Sequence, residues 1–313
     1  MRFCPITLQE IRDEESFSRD GLRSFHPRLQ DLAQLELSNE EQLSQARLRA
    51  DKMSVQGVQP KLSAQLRVKE GKFDIVDREG QFLLKPNPPT FTEVPANEAL
   101  TMTMAASVGL TVPPHGLIPT IDGSWIYVIK RFDREGRNRR IHVEDFAQLS
   151  GATRETKYES SLERVAKIVE EFCTFPALEK PKLAKLLLFC FLSGNEGMHL
   201  KNFSLIVSEG VVTLSPAYDL LNTTLVLENA KEESALPLGG KKNNLTRKLW
   251  LEYYCIDRLQ LPTKQITQIL EELESAVPSL HALIDRSFLT QDRRDKYREI
   301  LEERTQRLGL KSS

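Results

Sequence analysis

The period of the hydrophobic pattern changes near residue 140, and this change restricts the folds that the chain can adopt. Before this point the chain has short β-type runs, some of them separated by glycine-containing turns, and the first of these runs alternates between apolar and polar residues. These runs lie at 62–68, 73–76, 81–85 and 125–130. One helical pattern lies among them at about 96–108 and ends at Gly109, which is a helix-terminating signal.

Beyond residue 140 the apolar spacing is mainly helical. Helical patterns cover roughly 143–150, 159–173, 179–193 and 263–312, and a short hairpin is predicted at 203–214. We therefore predict an α+β, bilobal fold with a small β-rich N-lobe and a larger, mainly helical C-lobe. Two such lobes could hold a nucleotide in the cleft between them, because ligand sites favour domain interfaces.

Domain boundaries are predicted from the same patterns. Residues 1–50 are polar, with helical spacing at 31–35 and 40–43, and are predicted to form an N-terminal helical extension. The β-rich, nucleotide-binding N-lobe is assigned to 51–135. The helical C-lobe, with catalytic-type and metal-binding loops, is assigned to 136–313. The extension could pack against the β-rich lobe or form a docking site for a partner protein.

Charge and cysteine content narrow the classes of function. The 43 Lys and Arg residues nearly balance the 44 Asp and Glu residues, which argues against a protein that coats nucleic acid. Direct nucleic-acid binding is therefore the least favoured class, although a local basic pocket stays possible. None of the four cysteines forms a CxxC pair, so no structural zinc site is expected. The apolar run at 186–192 is too short to span a bilayer, and we expect a cytoplasmic protein.

Three groups of residues could carry chemistry, and the first is the segment around Gly57. A glycine between two strands lets backbone N–H groups approach phosphate oxygens closely. One glycine is a weak signal, however, and a plain turn is the alternative. The second group is Lys85, at the end of a predicted strand, with Glu98 on the following helix. A strand lysine held by a helix carboxylate orients the phosphates of ATP in kinases, whereas two surface charges are the alternative.

The third group is Asn202 and Asp219, which lie seventeen positions apart on either side of the predicted hairpin. A loop amide and a carboxylate brought together in this way are suitable ligands for Mg²⁺, which takes few protein ligands plus phosphate oxygens. His199 and Lys201 are expected to add positive charge nearby. For His199, a structural role in fixing the loop backbone is favoured over direct catalysis.

The order of these residues along the chain is informative. A glycine loop comes first, then a lysine, a glutamate, a loop asparagine and an aspartate, which is the order of the protein-kinase plan. Chance would rarely place all five in this sequence. We therefore predict that the two lobes form a protein-kinase-like fold.

These segments together resemble the HipA-type serine/threonine kinase toxins. The resemblance extends from about residue 50 to the C-terminus, and it rests on the stretches 54–61, 82–86, 97–98, 129–134, 143–146, 194–203 and 218–219. Full-length HipA proteins have a further N-terminal subdomain, whereas only about fifty residues precede the glycine loop here. The chain therefore most resembles HipT, the short form found in three-component HipBST toxin–antitoxin systems.

The resemblance implies an activity and a set of partners. Such toxins use ATP and Mg²⁺ to phosphorylate a serine of an aminoacyl-tRNA synthetase and so arrest translation. The tryptophanyl enzyme is the favoured substrate and the glutamyl enzyme the next. The implied partners are a small HipS-like protein, which corresponds to the missing subdomain, and a HipB-like DNA-binding antitoxin. Association with DNA would then be indirect, through the antitoxin.

The resemblance also assigns roles to individual positions. Ser54 matches the loop serine that family members autophosphorylate, and Gln56 stands where some short members have a second serine. His199 and Asn202 are candidate catalytic residues. The residues implied to bind the nucleotide are Gln56, Gly57, Val58 and Gln59 in the phosphate-covering loop, Lys85 with Glu98, then Lys130, Arg131 and Phe132 beside the adenine, and His199, Asn202 and Asp219. Of these, Asn202 and Asp219 match the Mg²⁺ ligands.

One position departs from the family pattern. Relatives have an aspartate five residues before the loop asparagine, where kinases use it to accept the proton of the substrate hydroxyl. Gly197 stands there in this chain, and the adjacent Glu196 leaves the backbone elsewhere. Loss of that carboxylate is expected to cost orders of magnitude in rate while nucleotide binding is largely kept. We favour an inactivated toxin over a natural pseudokinase acting as a nucleotide-binding scaffold in a repressor complex, because the other parts are intact.

Overall fold

The fold is taken from a computed structural model, which describes residues 1–49, 59–136, 139–153, 156–227 and 231–311. The chain divides into two compact units. The first unit comprises Met1–Thr103, Pro113–Arg140 and Asp285–Leu289, and the second comprises Met104–Val112, Ile141–Ile284 and Thr290–Ser313. The domain boundaries drawn from the sequence at residues 50 and 135 stay predictions.

A five-stranded antiparallel sheet forms the centre of the first unit. The regular elements of this unit in chain order are β1 (Arg2–Phe3), β2 (Glu10–Ile11), α1 (Arg19–Phe25), α2 (Asn39–Arg49), β3 (Leu62–Arg67), β4 (Lys72–Ile75), β5 (Phe82–Lys85), α3 (Val94–Ser107, of which the last four residues belong to the second unit), β6 (His115–Pro119), β7 (Trp125–Lys130), β8 (Arg134–Glu135) and β9 (Arg139–Arg140). The strands of the large sheet follow the order β4-β3-β5-β7-β6, while β1 pairs with β2 and β8 with β9.

The short β-type runs predicted from the sequence form β3, β4, β5 and β7, which confirms these strands. Strand β6 was not predicted, because its five residues contain a glycine and end in a proline and show no alternation.

Gly116 of this strand lies where the N-terminal segment approaches the sheet closely. A Cβ there would lie 2.7 Å from the Cα of Ile6, so glycine lets the N-terminal segment pass close to the strand. The same segment accepts a hydrogen bond from the Leu117 N–H at the Pro5 carbonyl.

The N-terminal residues belong to the core of the first unit. The helix predicted at 31–35 is wrong, because this stretch is extended and its backbone bonds to the sheet edges: the Ala33 N–H donates to Gly71 and the Leu35 N–H to Pro119. The helix predicted at 40–43 is confirmed within α2. The N-terminal residues buried in the core cluster with β3, β5 and β7 are Cys4, Ile6, Phe17, Leu22, Phe25, Leu29, Leu32, Leu35 and Ala46. Of the two alternatives for this segment, packing against the β-rich lobe is therefore observed.

The second unit is mainly helical, with one small antiparallel sheet of order β10-β11-β12. Its elements are β10 (His142–Asp145), α4 (Phe146–Leu149), α5 (Leu162–Phe172), α6 (Pro176–Leu192), a 3₁₀ turn (Leu200–Asn202), β11 (Ser204–Ser208), β12 (Val211–Leu214), α7 (Thr223–Val226), a helix with π-type turns (Leu249–Arg258), α8 (Thr263–Arg286) and α9 (Gln291–Leu308). The predicted hairpin and the predicted helices at 159–173, 179–193 and 263–312 are confirmed within these bounds. Among the described residues, no helix has both the length and the apolar character needed to cross a bilayer.

The helix predicted at 143–150 is wrong over its first half. Residues 142–145 form β10, which pairs with the hairpin strand β11 in the register Glu144 to Leu205. The helix α4 begins only after Asp145, whose carboxylate accepts the Gln148 N–H while the Gln148 side chain accepts the Asp145 N–H. This capping box fixes the helix start, because it satisfies two backbone donors that a helix end leaves without partners.

We expect the N-terminal segment to be required for the stability of the first unit. Phe25 is 1% exposed, and its ring packs edge-on against Phe73 and Phe82 with centroids 6.2 and 5.6 Å away. Phe25→Ala should lower the free energy of unfolding by about 3–5 kcal/mol, the range for a buried aromatic ring. Urea denaturation measures this, with Leu48→Ala as control because Leu48 is 72% exposed. Equal effects of the two substitutions would show that the segment does not contribute to the core.

Candidate active site

A buried ion pair joins the sheet and the helix α3 of the first unit. Lys85 Nζ lies 2.6 Å from Glu98 Oε1, and these two residues are 6% and 0% exposed. The strand period explains the position of the lysine: Phe82 and Leu84 face the core shared with the N-terminal segment, so Lys85 projects from the other face of β5. The contact between the two predicted residues is thus present.

The aromatic ring of Tyr127 packs against the Lys85 ammonium. Tyr127 lies opposite Lys85 in the register of β5 and β7, and its ring centre is 5.6 Å from the ammonium. An ammonium at this distance from a ring face is attracted by the ring quadrupole. The pair is stable without water because each charge has an opposite partner, whereas an isolated buried charge would be very costly. It therefore holds a lysine in one defined place.

The segment predicted to meet the adenine lies at the end of β7. The Lys130 N–H donates to the Pro114 carbonyl, and the Arg131 N–H donates to the Gln81 carbonyl at 2.8 Å. The Arg131 guanidinium forms two hydrogen bonds to Asp133, of 2.8 and 2.6 Å. The two backbone hydrogen bonds and the paired hydrogen bonds from Arg131 to Asp133 keep the chain from Lys130 to Phe132 in one conformation.

The phosphate-covering loop lies mostly outside the described residues. Ser54, Gln56, Gly57 and Val58 all fall there, so their roles stay predictions. Gln59 is the first described residue after the loop. Its side-chain Nε2 is buried and makes no hydrogen bond to the described residues.

In the second unit, Tyr218 brings together the two loops that carry Asn202 and Asp219. Its hydroxyl donates to the Lys201 carbonyl at 2.9 Å and lies 2.5 Å from Ser204 Oγ. Residues 201 and 218 immediately precede the two predicted Mg²⁺ ligands, so this contact fixes their spacing. Asp219 has a φ of +59°, a left-handed conformation that is uncommon for a non-glycine residue and that aspartate adopts more readily than most.

The backbone at Gly197 orients the predicted ligand Asn202. The Gly197 carbonyl accepts a hydrogen bond from the Asn202 side-chain Nδ2 at 3.0 Å and another from the His199 N–H at 2.8 Å. Because the amide nitrogen of Asn202 is engaged, its Oδ1 is the atom that can coordinate a cation. Neither bond depends on a side chain at residue 197.

Gly197 has a conformation that other residues can adopt. Its φ is not positive, and an added Cβ would lie 3.2 Å from Asn195 Oδ1 and 3.4 Å from Thr223 Cγ2, so only small shifts are needed. The nearby Gly194 differs, since its φ is +67° and an added Cβ would lie 2.8 Å from Asn222 Oδ1. The fold therefore requires glycine at 194, whereas a Cβ at 197 needs only small shifts of its neighbours.

Glu196 does not replace the missing carboxylate. Its Oε1 accepts a hydrogen bond from Thr224 Oγ1 at 2.7 Å, and its N–H donates to Thr223 Oγ1. Burial raises the pKa of this carboxyl, and the bond from Thr224 opposes that effect. The side chain is thus held on α7.

The imidazole of His199 contacts a lysine that the sequence did not indicate. Lys157 Nζ lies 2.8 Å from His199 Nε2, and the Tyr158 ring packs edge-on against the imidazole. Since an ammonium can only donate, Nε2 accepts and the ring proton is assigned to Nδ1. Burial, then the charge of Lys157, lowers the pKa of His199 to about 4.

The expectation that His199 adds positive charge is therefore wrong. At neutral pH the ring is uncharged, and Lys157 provides the cation in its place. The side chain also bonds to Lys157 instead of fixing the loop backbone, which is held by the Gly197 carbonyl. Lys157 was missed because it lies 42 residues from His199 in a stretch without a recognisable motif.

The donor set of the second unit fits Mg²⁺ bound together with phosphate oxygens. One amide oxygen and one carboxylate are the kind of small protein contribution that Mg²⁺ accepts, since it keeps waters and phosphate oxygens as its other ligands. Within the described residues, no cluster of three or more His, Cys, Asp or Glu residues could form an all-protein metal site. Asn202 and Asp219 are the residues of this unit that would hold the ion.

Comparison with known proteins places these residues in a family. The family model described as the HipA-like C-terminal domain matches residues 53–280. A Haemophilus influenzae protein named as a presumed kinase is 28% identical over 269 residues, covering 77% of this chain and 75% of its own. The serine/threonine-protein kinase toxin HipA of Shewanella oneidensis is 25% identical, covering 72% of this chain and 56% of its own. The chain thus spans only about half of the latter relative.

Solved structures confirm the fold class. The Shewanella oneidensis HipA chain, solved in a complex with HipB and operator DNA, matches with a TM-score of 0.69 at 21% identity, covering 90% of this chain and 74% of that one. The Helicobacter pylori proinflammatory kinase CtkA matches with a TM-score of 0.59 at 16% identity, covering 82% of this chain and 91% of that one. The predicted α+β, kinase-like fold is confirmed.

Removing one partner of the Lys85–Glu98 pair should destabilise the first unit strongly. Lys85→Met leaves a buried carboxylate without its partner, and we expect a loss of about 3–5 kcal/mol in the free energy of unfolding. The double variant Lys85→Met/Glu98→Leu should recover most of that loss, because both charges are then gone. Urea denaturation of Lys85→Met, of Glu98→Leu and of the double variant measures the coupling free energy between the two residues. Additive losses would show that the two residues do not depend on each other.

Proposed function

Because the chain belongs to the HipA-like C-terminal domain family, we propose that it has the structure of a serine/threonine protein kinase whose transfer step is blocked at Gly197. The kinase-like fold and the Lys85–Glu98 ion pair support a nucleotide-binding role. The single observation that carries the proposal is Gly197 itself, in a loop held by hydrogen bonds from Asn202 and His199 to the Gly197 carbonyl and from the Gly197 N–H to Asn195.

In this proposal each unit contributes a separate part of the chemistry. ATP bound with Mg²⁺ supplies the phosphoryl group and the charge that stabilises its transfer. Lys85 binds phosphate oxygens while Glu98 keeps its ammonium in place. Asn202 and Asp219 hold the metal ion, and Tyr218 fixes their spacing through its bond to the Lys201 carbonyl. An aspartate at residue 197 would orient the substrate hydroxyl and accept its proton, and glycine does neither.

The substrate and partners are the finer part of the proposal. We propose a serine of an aminoacyl-tRNA synthetase as the target, with the tryptophanyl enzyme first, and Ser54 as the site of autophosphorylation. A HipB-like DNA-binding antitoxin and a HipS-like small protein are the proposed partners. The support for the antitoxin is the similarity to a HipA chain that was solved together with HipB and DNA. The other assignments of substrate and partner rest on the resemblance of the motifs, and the proposed cytoplasmic location rests on the short apolar runs and the cysteine pattern of the sequence.

A second candidate function is favoured by the same glycine. A natural pseudokinase would bind nucleotide and act as a scaffold in a repressor complex without transferring phosphate. The conformation at residue 197 argues against a requirement for glycine, because its backbone accepts a side chain with only small shifts. We therefore rank the inactivated kinase above the scaffold.

We expect Gly197→Asp to restore phosphoryl transfer. A positioned general base contributes about 10²–10⁴-fold to such reactions, so label from γ-³²P-ATP should appear on the chain at a rate higher by that factor. Mass mapping should place the phosphate on Ser54, and a Gly197→Asp/Ser54→Ala variant should lose that site. Purified synthetases added to the same reaction would identify the external substrate.

The matched control is Gly197→Asn, which has the same shape without the carboxylate. It should bind ATP as the Asp variant does and transfer no phosphate. If Gly197→Asp binds ATP and also stays inert, the scaffold function replaces the kinase proposal. If the Asn variant is as active as the Asp variant, the carboxylate is not the missing group.

A further inference from the structure

The two-stranded ribbon of β8 and β9 places two arginines directly opposite each other. In its antiparallel register Arg134 faces Arg140, and Glu135 faces Arg139. Side chains of paired residues lie on the same face, while successive residues alternate between faces. One face of the ribbon therefore carries two arginines, and the other carries the Arg139–Glu135 ion pair of 2.8 Å.

A third arginine adjoins the first face through a shared carboxylate. Asp133 Oδ2 lies 2.6 Å from Arg131 Nη2 and also 2.6 Å from Arg134 Nη1. Arg131, Arg134 and Arg140 thus form a cluster of three cations with one carboxylate. Among the described residues no other carboxylate forms an ion pair with these arginines, and the net charge of the cluster is +2.

This excess of positive charge is partly removed from water. The side chains of Arg131 and Arg134 are 8% and 13% exposed, and that of Asp133 is 25% exposed. Burial, followed by the charges of Arg131 and Arg140, lowers the pKa of Arg134 below its ordinary value although Asp133 is in contact with it. Like charges directly opposite in a ribbon are destabilising. An additional anion near Arg134 would therefore offset the repulsion between these positive charges.

We propose that Arg131, Arg134 and Arg140 form a binding site for a phosphoryl group, the dianionic end of a phosphomonoester. The charge matches, since two negative charges neutralise an excess of two positive charges. The chemistry matches as well, because guanidinium groups bind phosphate oxygens through paired, charge-assisted hydrogen bonds. Arg140 is exposed and would meet the ligand first, while Asp133 keeps Arg131 and Arg134 in fixed orientations. The site does not depend on kinase activity.

Calorimetric titration of the full chain with inorganic phosphate, at constant ionic strength in chloride, tests the site. We expect saturable binding that weakens about tenfold in Arg140→Gln, because one charge-assisted contact is lost. Arg139→Gln is the matched control: it removes the same charge from the neighbouring position on the other face of the ribbon. It should change phosphate affinity by less than about twofold. Equal weakening by both variants, or no saturable binding, would overturn the proposal.

Asp133→Asn gives a test with the opposite sign. Removing the carboxylate that competes for Arg131 and Arg134 should tighten phosphate binding, by about threefold or more. If this variant is less stable, phosphate should raise its melting temperature by more than it raises that of the parent chain. A melting temperature that phosphate does not change, in both proteins, would show that the cluster is structural only.

Two sources of the phosphoryl group are then compared. A peptide containing phosphoserine is titrated beside inorganic phosphate, with the unphosphorylated peptide as reference. Tighter binding of the phosphopeptide than of inorganic phosphate would assign the site to a phosphorylated polypeptide. Equal affinities would assign it to the free ion. A phosphoryl site would be contradicted if the phosphorylated and unphosphorylated peptides bound equally and if Arg140→Gln and Arg139→Gln had the same effect on binding.

Discussion

A lysine and a glutamate lie buried in the first unit with their charged atoms 2.6 Å apart, and much of that unit is arranged around them. Lys85 requires a strand whose other face is occupied by the core, and that core includes the N-terminal segment packed on Phe82 and Leu84. Glu98 requires a helix that begins beside the sheet, where the Asn87 side chain accepts the Val94 N–H. Because a buried charge without a partner is very costly, neither element can be displaced alone. The pair therefore ties the N-terminal segment, the sheet and α3 to one arrangement.

The catalytic-type loop of the second unit keeps its shape without a side chain at residue 197. Its bonds come from the backbone of Gly197 and from residues around it, with Asn202 and His199 both donating to the Gly197 carbonyl. The charge near the loop is arranged differently from what the sequence suggests, since His199 is neutral and Lys157 carries the positive charge. The absence of a side chain at residue 197 is therefore compatible with an intact fold of this loop.

Local pattern predicted the parts of the fold that local pattern determines. Strand β3 alternates with period two, β5 and β7 are short apolar runs, and Lys85 and Glu98 could be paired because kinases place such residues in this order. Contacts between distant segments were missed. Residues 31–35 have helical spacing, yet the backbone of Ala33 and Leu35 bonds to the sheet edges, and 142–145 forms a strand only because β11 lies beside it. Lys157 lies outside any motif, and the sequence does not show that Arg134 and Arg140 face each other, so these contacts are seen only in the three-dimensional structure.

The central claim is that this chain retains the nucleotide-binding residues of a kinase and lacks the carboxylate that completes transfer. Calorimetric titration of the chain, with Gly197 in place, by ATP in the presence and absence of Mg²⁺ tests it most directly. The account predicts saturable ATP binding that Mg²⁺ strengthens, with no ATP consumed during the titration. Absence of ATP binding into the millimolar range, or hydrolysis and transfer by the chain as it stands, would contradict it.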